Sequence, residues 1–124
     1  MVLDTNIVIY SCQPGGEVLL RWTGNPNACV ASVTRVEALG FCGIGPEEEV
    51  DLREFFAECT TLSLDDEVFE RAVLLRQQKR MKLGDAIIAA TALEYGLPLV
   101  TRNVDDFKHI AELQVIDPFA TPLL

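Results

Sequence analysis

The stretch "GDAIIAATALEYG", residues 84–96, constrains the fold more than any other part of the chain. It is apolar nearly all round and rich in alanine, with its acids, Asp85 and Glu94, near its two ends. A helix without a wet face has to be buried, and its small side chains let it pack close to a sheet. Gly96 and Pro98 mark its end, and the apolar run "LPLV" follows.

The rest of the chain repeats this alternation. Short apolar runs at 2–3, 28–31, 61–64, 97–101 and 113–116 read as strands, with helical periodicity between them. The expected fold class is therefore α/β with a mainly parallel central sheet, in one domain over residues 1–124. Leu52, Phe55, Phe56 and Cys59 recur at helical spacing, as do Val68, Ala72 and Leu75. Pro46 followed by Glu47, Glu48 and Glu49 suits a helix start, where carboxylates meet the positive end of the dipole. In "LSLDDEVF", Asp65 or Asp66 should cap the next helix.

Composition excludes several classes. No apolar run approaches the roughly 18 residues of a membrane span. The start of the chain has no basic segment followed by an apolar stretch, so a cytoplasmic protein is expected. The cysteines at 12, 29, 42 and 59 form no C-x-x-C pair, and His109 is the sole histidine, which argues against a thiolate or imidazole zinc site. Reduced, mostly buried thiols are expected rather than disulfides. The net charge of −9 opposes broad attraction to nucleic acid. Acids gathered around a metal ion would nevertheless be partly neutralised by it.

Ligands of an open parallel sheet bind beyond the carboxyl ends of its strands. Asp4, Ser32, Thr101, Arg102 and Asn103 all follow predicted strands and should share that edge. Glu37 lies at i+4 from Val33, next to Val36 and three residues before Gly40, on or beside an apolar stripe. It needs a metal or a partner there, unless it reaches water at the stripe's margin. Asp85 at the start of the alanine-rich helix reads as an N-cap, a position that would also keep it ionised. Asn103, Asp105 and Asp106 cluster after a strand, either as a polar turn or as further oxygen ligands. Asp117 precedes Pro118, and a turn accounts for it. Oxygen-only ligation suits Mg²⁺ or Mn²⁺, and several carboxylates around such ions are the parts of a phosphodiester hydrolase.

Taken together, "LDTN", "TRVEALGF", "KLGDAIIAATAL" and "LVTRNVDDF" resemble the PIN domain family, in particular its toxin branch, the VapC-like ribonucleases of toxin–antitoxin pairs. The resemblance is ordered and covers residues 2–107. It implies a three-layer α/β/α sandwich and a metal-dependent endoribonuclease leaving a 5′-phosphate and a 3′-hydroxyl. It also implies an RNA substrate, a cognate antitoxin and a homodimer, to which the apolar-faced helices between 46 and 80 could contribute. Carried over by position, Asp4, Glu37, Asp85 and Asp106 would be the catalytic and metal-holding acids, with Asp105 an alternative to Asp106. Asn6, Thr101 and Asn103 match supporting polar positions. Arg102 and Lys82 are candidate substrate contacts within a basic set that also includes Arg76, Lys79, Arg80 and Lys108. Three residues precede Asp4, fewer than such relatives usually carry, so the first strand should be short and Asp4 poorly held if it frays.

Two other readings compete. One is a PIN-like interaction module without catalysis, which a missing carboxylate would favour; none is missing. The other is a phosphotransfer domain. A phosphohydrolase of that type would want a second Asp where Asn6 stands, and a receiver would want a lysine where Arg102 stands.

Overall fold

A computed structural model of the chain describes residues 1–120. Five short strands form one parallel sheet: β1 Val2–Leu3, β2 Cys29–Ala31, β3 Thr60–Leu62, β4 Leu99–Val100 and β5 Val115–Ile116. Their order across the sheet is β3-β2-β1-β4-β5. All five predicted strands exist at two or three residues each: the first as expected, the third starting one residue earlier and ending two earlier, and the other three trimmed.

Six α-helices surround the sheet: α1 Thr5–Ser11, α2 Leu20–Thr23, α3 Ser32–Leu39, α4 Pro46–Glu58, α5 Asp66–Gln78 and α6 Leu83–Glu94. Strand side chains alternate between two apolar layers, as the pleat requires. Val2, Ala31 and Leu99 face a core that contains Val68, Ala72 and Leu75 of α5 and the alanines of α6. Leu3, Val30 and Val100 face the opposite core, with Ile7 and Val8 of α1, Trp22 of α2, and Leu52 and Phe56 of α4. The result is the expected three-layer α/β/α sandwich.

Local starts follow from capping chemistry. Pro46 opens α4, and the three glutamates fill its first turn. The Asp65 carboxylate caps α5 by accepting from the Val68 N–H at 2.9 Å. In α6, Ala86, Ile88, Ala89, Ala90 and Ala92 are almost wholly excluded from solvent. The chain leaves that helix through Gly96 at φ +66°, a left-handed conformation that favours glycine.

The first strand is short but does not fray. Val2 and Leu3 are completely buried between β2 and β4. The Val2 N–H donates to the Pro98 carbonyl at 2.8 Å, and the Asp4 N–H donates to that of Val100 at 2.9 Å. A central position in the sheet thus replaces length. All four cysteines are free thiols, as expected, but they are less buried than expected: Cys12, Cys29 and Cys59 are only partly buried and Cys42 is exposed.

Because Ala89 is fully buried against the sheet, Ala89→Leu has no space to fill. Urea denaturation should show stability lowered by about 1–3 kcal/mol. An unchanged midpoint would mean that α6 is not close-packed.

Candidate functional site

The strand order reverses between β1 and β4. From β1 the chain builds outward through β2 and β3, then returns to the other side of β1 as β4. The carboxyl ends of β1 and β4 therefore flank the switch point, where α/β sheets open a crevice. Asp4 follows β1 and Thr101 follows β4, and the two meet there.

Asp4 is 4% exposed, so its carboxylate depends on protein partners. Its Oδ1 accepts the Thr5 N–H at 2.8 Å, and its Oδ2 accepts the Thr101 hydroxyl at 2.7 Å. Thr101, itself fully buried, has then used its one proton and accepts the Asn103 N–H at 3.0 Å. On the other side, the Thr5 hydroxyl donates to Glu37 Oε1 at 2.6 Å. Thr5 has one proton to give, so the 3.0 Å contact between the Thr34 and Thr5 hydroxyls has Thr34 as donor. Thr5 thus links two acids, one by its backbone and one by its side chain.

Glu37 reaches this position from the outer part of α3. The face of α3 that packs inward is Thr34 and Ala38, whereas Val36 is 73% exposed and Glu37 is exposed as well. The predicted stripe through Val33, Val36, Glu37 and Gly40 is therefore not the buried face. No basic partner holds Glu37 among the described residues; Thr5 does. The Glu37 carboxylate lies against Gly84, where a side chain on residue 84 would collide with it. Glycine at this position leaves room for that carboxylate beside the start of α6.

Asp85 is not the N-cap of α6. The cap position is Lys82, and Asp85 falls in the first turn with no capping hydrogen bond. Its pKa moves opposite to the expectation from helix position alone. Burial and the charges of Asp4 and Asp106 push it up to about 6; Lys82 opposes this and Glu37 adds to it. Burial likewise raises Asp4, against the hydrogen bonds from Thr101 and Thr5, with Glu37 and Asp106 contributing in the same upward direction. Asp4 and Asp85 therefore sit in the field of the neighbouring acids.

The neighbouring acids divide cleanly. Asp105 is turned to solvent and pairs with Lys108 at 3.3 Å, whereas Asp106 acts on Asp4 and Asp85. The structure brings Asp4, Glu37, Asp85, Asp106 and Thr101 together, with Lys82 beside them. Asn103 contributes its backbone N–H. Asn6 is exposed, with no side-chain hydrogen bond among the described residues. Arg102 is exposed and lies over the ring of Phe119. Thr5, Thr34 and Gly84 were not singled out from sequence. Thr5 and Gly84 lie inside "LDTN" and "LGD", but nothing local marks them as the link and the gap between acids.

The donor set is all oxygen, which suits a hard divalent cation such as Mg²⁺ or Mn²⁺. Among the described residues, no three acids are drawn tightly enough to form a closed cage as they stand. The raised Asp85 and the buried Asp4 beside it nonetheless fit a cation at this edge.

Comparison with known proteins agrees with this architecture. Ribonuclease VapC of Rickettsia bellii is 27% identical over 129 residues, with 94% of each chain covered. The toxin–antitoxin complex from Klebsiella pneumoniae contains a chain that is 32% identical, with a TM-score of 0.76 over 94% of this chain and 96% of that one. The fold is shared with VapBC2 from Rickettsia felis, a structure bound to a DNA fragment from the promoter, at 20% identity and a TM-score of 0.77 over 92% and 95% of the two chains. The family model for the PIN domain matches residues 1–113, and the chain belongs to the PIN domain family.

Proposed function

We propose that this chain is the ribonuclease toxin of a toxin–antitoxin pair. It hydrolyses RNA phosphodiester bonds with Mg²⁺ or Mn²⁺ held by Asp4, Glu37, Asp85 and Asp106. The observation that carries the reading is the acid edge itself, with Asp4 fixed at the switch point and Asp85 raised by its acidic neighbours. Membership of the PIN family and the likeness to Ribonuclease VapC support it. A divalent ion bound there lowers the pKa of water and offsets the negative charge that develops on phosphate.

The protein's own part is positional. Thr5 and Thr101 each occupy one lone pair on an Asp4 oxygen, which leaves the remaining pairs for the ion. Thr34 orients Thr5, and Thr5 aims Glu37. Asn6 and Asn103 stand exposed at the rim, where their amides can order water. Lys82 and Arg102 supply positive charge to hold the phosphate backbone against an otherwise acidic surface. One domain spanning residues 1–124 carries this activity, in the cytoplasm.

The partner is an antitoxin whose segment covers the acid edge, and an arginine in that segment would match the carboxylates in charge and geometry. The toxin pairs with a second copy through apolar side chains on the outer faces of α4 and α5. Val50, Phe69 and Leu74 are more than half exposed there.

A mixed RNA pool should be cleaved with Mn²⁺ or Mg²⁺ and spared with EDTA, and Asp4→Asn should abolish cleavage. Cleavage that persists in EDTA would remove the metal from the reaction. Thr101→Val strips the hydroxyl from Asp4 and should weaken Mn²⁺ binding by about 10–100-fold in calorimetry. Metal affinity should also fall with acid, because protons and cation compete for Asp85. With Asp85 raised to about 6, Mn²⁺ should bind about tenfold more weakly at pH 5 than at pH 7.

The same shift sets the stability of the metal-free protein. A folded-state pKa raised above 3.8 stabilises the protonated fold at low pH, and that contribution is lost as pH rises through about 6. Asp85→Asn should flatten the fall in thermal midpoint over that interval. A fall that is just as steep in the variant would assign it to other groups.

A further inference from the structure

We infer that Phe119 is a positioning residue for the substrate backbone: its ring holds the Arg102 guanidinium at the rim of the acid edge as a preset phosphate contact. This rests on the ribonuclease reading above. The argument begins in the sheet. Thr101 N–H donates to the Ile116 carbonyl at 2.9 Å, so the chain leaving β5 passes beside the chain leaving β4. The turn that follows is closed by two hydrogen bonds. Asp117 Oδ1 accepts the Phe119 N–H at 2.9 Å, and the Asp117 carbonyl accepts the Ala120 N–H at 3.2 Å. Pro118 stiffens that turn further. The turn presents the Phe119 ring to Arg102, whose guanidinium carbon lies 4.7 Å from the ring centroid.

The contact is with the ring and uses none of the guanidinium's N–H groups in a hydrogen bond, so they stay available. Arg102 is exposed and forms no ion pair or hydrogen bond among the described residues. Four other cations are already engaged. Lys108 pairs with Asp105, Arg71 with Glu94 and Arg53 with Glu49, and Arg76 donates to the Met81 carbonyl. The sequence neighbour of Arg102 is Thr101, which bonds directly to Asp4. An arginine fork there matches a phosphate that flanks the scissile bond. Holding a long side chain in place beforehand reduces the entropy lost when RNA binds. The bland account of Phe119 is an apolar side chain covering the end of the sheet. It remains 47% exposed, however, and its ring lies against a cation.

The test is fluorescence anisotropy with a fluorescent single-stranded RNA oligonucleotide of mixed sequence. It is done in Mg²⁺ buffer on the full chain carrying Asp4→Asn, so that nothing is cut. Adding Arg102→Ala should weaken binding about tenfold and reduce the slope of log affinity against log salt by about 0.7, the value of one phosphate contact on a single strand. Phe119→Leu, which keeps apolar bulk, should weaken binding about threefold without moving the thermal midpoint, and Phe119→Trp should restore it. In the Arg102→Ala background Phe119→Leu should add nothing. With Asp4 intact, Phe119→Leu should raise KM and leave kcat unchanged. Parent-like binding by Phe119→Leu would overturn the inference. An equal loss with and without Arg102 would overturn it too, because the ring would then act on RNA by itself. If the parent binds no RNA and the wild type cuts none, the ribonuclease reading fails and takes this one with it. Metal-dependent cutting with an unaltered salt slope in Arg102→Ala overturns this inference alone.

Discussion

The hydrogen bond from Thr101 to Asp4 ties the two halves of the molecule together at their most expensive point. A carboxylate 4% exposed is tolerated only if its oxygens find donors, and both donors come from the frame of the fold. One is the first N–H of α1, presented because β1 ends at Leu3. The other is the first side chain after β4. Both depend on β1 lying between β2 and β4, and that placement is secured by backbone bonds at Val2 and Asp4. The edge remains under electrostatic tension, since Glu37 and Asp106 raise the cost of ionising Asp4 and, together with Asp4, that of Asp85.

Much of this was legible in the sequence, for identifiable reasons. The alanine-rich run could only be a buried helix, and its burial in α6 follows from composition alone. The periodic residues of α4 and α5 pack inward as their spacing requires. Asp65 caps its helix because the side chain acts within its own turn. These are short-range matters, and local patterns carry them.

The misreadings concern groups whose partners are distant in the chain. Spacing puts Glu37 on or beside an apolar stripe, in need of a metal or a partner; that stripe is not the buried face, and a hydroxyl 32 positions away holds it. Asp85 looked like a cap, yet the helix begins two residues earlier. Its titration is dominated by burial and by acids from other elements, which no periodicity records. Nothing local distinguishes Gly84 in the sequence; the Glu37 carboxylate lying against it gives it meaning. The concern that Asp4 would be poorly held if β1 frayed assumed that a strand's security grows with its length. In a central strand, neighbours on both sides do that work instead.

The separation of 97 residues between Asp4 and Thr101 also has a temporal side. A ribosome adds about 5–20 residues per second, so roughly 5–20 s pass between synthesis of the first residue and of the second. During that interval Asp4 lacks the side-chain donor that fixes one of its oxygens, and β1 lacks one of its two neighbours. Asp106 has not yet been made either. A chain still being translated therefore cannot assemble the acid edge, whatever its early segments have already folded into. The topology acts as a built-in delay, so that the site matures only when nearly all of the chain has been made.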